Sequence, residues 1–284
     1  MIDLFCVLIT ISFLFLSVSW LLRIHSVSRW LSFWLKNKDY PQLANNDRYG
    51  NIRFFVLLPV LDYVGVFEKT VIRFSKMLQK FSGSRVVIIT TEEEYSINKR
   101  GDGRGSVSAS EQLSKSFGNV LTIHYPFKGG KMAHQVNYAV HFITEHFSVR
   151  QEDFFALYNS DSHPDERTFP WIRNFLTKQD IKLAPQIFQQ YGDYFGNYSE
   201  IKNSNQGFFK KSILISAGLW QNRWSVGFEI PHSLQQFRKM RMKNLLFLPM
   251  NYCIGHGLFF SFESYKKLNG FSEDTHNEDA IFGL

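Results

Sequence analysis

Apolar and polar positions alternate along this chain with two different periods. Arg53 to Val60 (RFFVLLPV) is a short, nearly unbroken apolar run closed by Pro59, the pattern of a strand buried on both faces. Between Phe67 and Phe81 the apolar residues Val71, Phe74, Met77, Leu78 and Phe81 return at helical spacing. The β-branched run Arg85 to Thr90 predicts a second strand, Ser108 to Phe117 a helix and Asn119 to His124 a third strand. Lys131 to His146 reads as a helix and Phe154 to Tyr158 as a buried strand. Near the end of the chain, Gly255-His256-Gly257 leads into a further apolar strand, Leu258-Phe259-Phe260. This alternation predicts the α/β class: an open, mainly parallel sheet covered by helices, with ligands at the carboxyl ends of the strands.

The first residues follow neither period. From Leu4 to Leu22 there is no charge, and a helix of that length would cross roughly 30 Å of hydrocarbon. A cleaved leader is the rival, but Met1-Ile2-Asp3 has no Lys or Arg and no small-residue cleavage site follows. A transmembrane helix is therefore expected. Arg23, His25, Arg29, Lys36 and Lys38 follow it, so the positive-inside bias puts the rest of the chain in the cytoplasm. Trp30, Leu31, Phe33, Trp34 and Leu35 suit a segment at headgroup depth. The expected division is an anchor over residues 1–36 and one domain over 50–284.

Charge and cysteine usage narrow the picture only slightly. Lys and Arg number 32 against 25 Asp and Glu, a net charge of +7 that suits nucleic acid, anionic lipid or a phosphorylated substrate. The two cysteines, Cys6 and Cys253, allow neither a disulfide framework nor a zinc set.

The candidate chemistry falls at strand ends. Tyr158 opens into Asn159-Ser160-Asp161-Ser162, where a carboxylate can hold a hard cation such as Mg or Mn beside a diphosphate. The alternative is an Asx turn in which Asp161 bonds its own backbone. Phe127-Lys128-Gly129-Gly130-Lys131 places glycines and lysines at a helix start, where amides and the dipole receive phosphate. Glu273, Asp274, Glu278 and Asp279 form an acidic run, which is either a presented base or a solvated helix start. Trp220 to Ile230 is aromatic and amphipathic, fitting an acceptor groove around Trp224, a membrane contact or plain core packing. Gln189 and Gln190 are candidates for the acceptor side.

Taken in order, these pieces resemble the family-2 glycosyltransferases, inverting enzymes of the GT-A fold, a Rossmann-like open sheet that binds nucleotide-diphospho sugars. Phe55 to Leu61, with Pro59, looks like the opening strand whose loop meets the nucleotide, and Lys131 to Asn137 like the helix start near the donor. Asn159-Ser160-Asp161 stands where the family has D-x-D, with Asn159 replacing the first aspartate and Asp161 left as the metal ligand. Gly255-His256-Gly257, Gly270-Phe271 and Asn277-Glu278-Asp279 match the acceptor-side strand, the turn and the E-D motif. The resemblance implies that Asp279 is the general base, that Glu278 positions the site and that His256 and Gly257 face the acceptor. It also implies a saccharide or lipid-linked acceptor, membrane-associated polysaccharide or glycolipid synthesis, and no nucleic-acid partner. Asp62 and Glu92 are the carboxylates nearest the places of the family's base and ribose contacts. The family's later Q-x-x-R-W segment and further membrane helices do not occur before Leu284, so the expectation is either a fragment or an enzyme lacking the element that closes over donor and growing chain. Two alternatives remain: a non-catalytic relative that binds donor only, and a basic membrane-tethered module for lipid or nucleic acid.

Overall fold

The computed structural model describes residues 2–37, 51–61, 66–93, 105–177, 186–190, 198–225, 229 and 256–274. The chain divides into two compact units, residues 1–39 with 191–251, and residues 40–190 with 252–284.

The second unit is an α/β sandwich. Its elements are β1 (Phe54–Pro59), α2 (Val66–Leu78), β2 (Arg85–Thr91), α3 (Ser106–Ser116), β3 (Val120–Tyr125), α4 (Met132–His146), β4 (Phe154–Leu157), α5 (Thr168–Thr177), β5 (Ile187–Gln189), β6 (Leu258–Ser261) and α8 (Phe262–Leu268). The six-stranded sheet runs in the order β3-β2-β1-β4-β6-β5. Strands β1 to β4 are parallel, Leu57 lying opposite both Val87 and Leu157. β6 runs antiparallel to β4 and to β5. Every predicted strand and helix between residues 53 and 158 is present, with ends shifted by a few residues, as usual for element boundaries.

Both faces of the sheet are covered, which explains why its strands read as continuous apolar runs. Phe54, Val56 and Leu58 point to one face and pack with Phe67, Val71 and Phe74 of α2 and Phe169 of α5. Phe55 and Leu57 point to the other, against Val136, Val140 and Ile143 of α4. On the first face the Phe54 ring meets Phe81 at 5.2 Å and Phe169 at 5.0 Å, both edge to face, pairs worth about 0.5–1.5 kcal/mol each beyond burial. The handedness of crossovers accounts for the split. From β1 to β2 to β3 the chain steps one way across the sheet; from β3 to β4 it steps back past β1, so a right-handed connection carries α4 onto the opposite face.

The first unit contains α1 (Ile2–Asn37), α6 (Tyr198–Asn203) and α7 (Phe208–Trp224). α1 is one unbroken helix that runs through the basic flank. Its described side chains from Val7 to Leu22 are almost all exposed, Phe13 by 71 % and Phe15 by 73 %. Among the described residues no helix is long and apolar enough to cross a membrane. The expected transmembrane span over residues 4–22 is therefore not borne out among the described residues. Within the same unit the Arg223 guanidinium of α7 lies over the Trp20 ring of α1 at 5.3 Å.

Candidate active site

The sheet reverses its direction of growth between β1 and β4, and in open α/β sheets the crevice beyond the carboxyl ends of such strands receives ligands. Pro59 closes β1 there, and the following Val60 N–H donates to the Ile89 carbonyl at 2.9 Å. On the other side of the crevice the Tyr158 N–H donates to the Leu57 carbonyl at 3.1 Å, which extends the pairing one residue beyond β4. The chain then turns, Ser162 N–H donating to the Asn159 carbonyl at 3.0 Å.

That turn is closed by backbone, and among the described residues the Asp161 carboxylate has neither a hydrogen bond nor an ion pair. Asp161 and Asn159 are both exposed. The Asx-turn alternative, in which Asp161 bonds its own backbone, is therefore not what the chain adopts. Among the described residues no three His, Cys, Asp or Glu side chains gather as a metal cage. A Mg-like cation held with substrate phosphates needs only one or two protein carboxylates, so the free Asp161 fits that demand.

At the ends of β2 and β3 a second polar group forms. His124 lies opposite Thr90, its Nδ1 3.0 Å from Thr90 Oγ1, and its Nε2 is 3.2 Å from Glu92 Oε1. Next to it the Thr91 hydroxyl is buried without a hydrogen-bond partner among the described residues. An orphaned buried hydroxyl costs about 1–3 kcal/mol unless something satisfies it, which marks this rim as a place for a polar ligand. Sequence reasoning reached Glu92 but missed His124, which reads as the last residue of a strand; its position opposite Thr90 becomes visible only with the β2–β3 register.

The glycine turn before α4 is built as expected, with Gly129 at φ +75° and Gly130 at φ +102°. Lys131 caps α4, its backbone N–H donating to His134 Nδ1 at 3.2 Å, while its Nζ donates to the Glu273 carbonyl at 3.3 Å. Asn137 is not free to meet a donor. Its Oδ1 accepts from Phe271 N–H and Tyr265 O–H, each at 2.9 Å, and its Nδ2 donates to the Phe271 carbonyl at 2.8 Å and to Glu273 Oε1 at 2.9 Å. Burial, and then the Glu273 charge, raise the Tyr265 phenol well above its ordinary value, so it stays a donor in this group.

Because β6 is antiparallel, its start reaches the same rim as the end of β4, Leu258 lying opposite Leu157. Gly257 N–H donates to the Leu157 carbonyl at 2.8 Å, and Gln190 N–H to the Gly257 carbonyl at 2.7 Å. Gly257 sits at φ +69°, and a Cβ there would lie 2.8 Å from the Gln190 carbonyl oxygen. Close backbone packing thus requires this glycine. The His256 carbonyl accepts from Gln189 Nε2 at 2.9 Å. Tyr158, whose phenol is pushed up by burial, donates to Gln190 Oε1. His256, Gly257, Gln189 and Gln190 are therefore brought together beside Tyr158.

Asp62, Glu278 and Asp279 lie outside the described residues, as does the Trp224 side chain. An open cleft of about 610 Å³, lined by Arg53, Lys80, Phe81, Gly83, Ser148 and Arg150, lies at the amino ends of β1 and β2, the end of the sheet away from Asp161. Two of its cations, Arg53 and Arg150, are engaged by Asp153. The chemistry-bearing residues lie at the other end of the sheet, in keeping with ligand binding at carboxyl ends.

No family model matches the chain and no curated protein matches it in sequence. Among solved structures, a mannosyltransferase from Pyrobaculum calidifontis in complex with GDP-Man and Mn2+ aligns over 93% of this chain and 61% of its own, at 12% identity and a TM-score of 0.48. Glucosyl-3-phosphoglycerate synthase from Mycobacterium tuberculosis in complex with UDP aligns over 57% of this chain and 53% of its own, at 13% identity and a TM-score of 0.36. A 4-diphosphocytidyl-2C-methyl-D-erythritol synthase aligns over 44% of this chain and 54% of its own, at 14% identity and a TM-score of 0.31. The chain spans about half to three-fifths of the length of these structures. The overlaps are partial and the identities low, so the functional reading rests on the chain's own residues.

Proposed function

We propose that this chain is a GT-A glycosyltransferase of the inverting, family-2 type, moving a sugar from a nucleotide-diphospho sugar to a saccharide or lipid-linked acceptor at a membrane. The observation that carries the reading is the exposed Asp161 carboxylate, without a partner among the described residues, at the point where the sheet reverses. The Thr91 hydroxyl, without a hydrogen-bond partner among the described residues and beside Glu92 and His124, supports it, being suited to a base or ribose at the ends of β2 and β3. Asp161, with Asn159 beside it, would hold Mg or Mn, and the cation would supply charge neutralisation for the departing nucleoside diphosphate. Lys131 adds a second positive charge near the start of α4. Asp62 joins Pro59 on the nucleotide side. Asp279 removes the proton from the acceptor hydroxyl, Glu278 orients that step, and His256, Gly257 and Trp224 border the acceptor. Inversion follows from a single in-line displacement at the anomeric carbon.

The exposed apolar side chains from Val7 to Leu22 support attachment of the chain to a membrane, with the sheet-bearing unit on the cytoplasmic side as the basic flank after Leu22 favours. Transfer from a panel of labelled nucleotide sugars to membrane extracts tests the reading, with Asp279→Asn as the control. Loss of a positioned base lowers the rate roughly 10²- to 10⁴-fold and leaves donor binding intact. Equal rates in parent and variant would overturn the mechanism. Asn159, uncharged where the family has a carboxylate, favours a second reading, a relative that binds donor without turning it over; its signature is nucleotide-sugar binding with no transfer under any acceptor.

A further inference from the structure

We propose that Asn137 is a positioning residue: it fixes the Gly270-Phe271 turn and Glu273, which precede Glu278 and Asp279 in sequence, against the first turns of α4. This rests on the sugar-transfer reading of the preceding subsection. A side-chain amide makes at most four good hydrogen bonds, two accepted and two donated, and Asn137 makes all four to residues at least 128 positions away. It accepts from the Phe271 N–H and donates to the Phe271 carbonyl, which defines the orientation of that turn as well as its location. Gly270 confirms how closely the parts fit, since at φ +80° a Cβ would lie 2.9 Å from Asn137 Oδ1. Glu273 is the second point of attachment: Oε1 accepts from Asn137, Oε2 lies 3.6 Å from His134 Nε2, and its carbonyl accepts from Lys131. One helix start therefore carries both the lysine facing the donor and the asparagine holding the acceptor-side turn.

The test uses the full chain with Asn137→Ala and, independently, Gly270→Ala, which crowds the same amide from the other side. Nucleoside-diphosphate binding by calorimetry should stay within about twofold of the parent, while kcat for transfer falls about 10- to 100-fold, the scale of a small misplacement of reacting groups. Amide hydrogen exchange at Phe271 and Glu273 should accelerate. Asn137→Asp sets two acceptors facing each other, and adding Glu273→Gln restores a donor, so the pair should recover part of the lost kcat. Binding that falls in parallel with transfer would make Asn137 a donor contact and overturn the proposal, as would unchanged kcat in both single variants. If the parent itself transfers no sugar, the enzymatic reading fails, and the exchange rates alone decide: acceleration supports the clamp and parent-like exchange rejects it.

Discussion

Arg53 and Asp153 tie the starts of the two central strands together. The Arg53 backbone N–H donates to Asp153 Oδ1 at 3.1 Å and its Nε donates to Oδ2 at 3.0 Å, the carboxylate being fully buried. Arg150 adds a backbone bond at 2.8 Å and a guanidinium bond at 3.0 Å. Burial pushes this carboxyl up, but the bonds from Arg53 and Arg150 outweigh it and hold the group below the ordinary carboxylate value of 3.8. A carboxyl lowered by folding contributes stability that is complete above 3.8 and is lost as the pH falls through its native value. Asp153→Asn should therefore cost about 3 kcal/mol at neutral pH, since it leaves two guanidinium groups short of their partner, and should flatten the acid limb of the stability curve. Urea unfolding across that range measures both effects; an unchanged acid limb would refute the assignment.

For Asp161 the expected outcome is a metal effect. Calorimetry should find nucleoside diphosphate bound more tightly with Mg or Mn than with chelator, and Asp161→Ala should abolish the difference while leaving thermal stability within about 0.5 kcal/mol, as for an exposed side chain without partners. Equal affinity in the two conditions would reduce Asp161 to a turn residue.

Gly257→Ala should be costly although the added methyl is small. The new Cβ would sit 2.8 Å from the Gln190 carbonyl and 2.9 Å from Gln190 Cβ at a positive φ. A loss of about 1–3 kcal/mol is expected from that strain, together with weakened pairing of Gln190. Thermal unfolding reads the first and amide exchange at Gln190 the second.

For α1, the prediction is co-flotation of the chain with lipid vesicles through the apolar stretch that includes Phe13 and Phe15. Replacing both with Asp should release it. Protease added outside sealed cells should leave the sheet-bearing unit intact, and its digestion from that side would refute the cytoplasmic orientation.

β1, β2 and β4 are legible because they are buried on both faces and so read as continuous apolar runs. Their order was only partly so: alternation implies a parallel sheet, yet nothing local reveals that β6 enters between β4 and β5 in the opposite sense. β5, Ile187–Gln189, is too short to register as a period. Asp161 was legible from its place after a strand. From sequence Asn137 reads as a donor-side residue, while its partners Phe271 and Glu273 lie more than a hundred residues downstream, where spacing carries no information. The Thr90, His124 and Glu92 group was hidden for the same reason, being made by register across two strands.

The placement of β6 also bears on how the protein is made. Leu157 finds its partner Leu258 only after about a hundred further residues have been added. Until then the ribosome holds a nascent chain whose β4 has a neighbour on one side and an open, wholly apolar edge on the other. Unpaired edges of that kind invite pairing with other chains, and late, distant contacts slow closure. Stalled synthesis short of Leu258 would therefore yield an aggregation-prone four-stranded intermediate that lacks the Gly257 side of the rim.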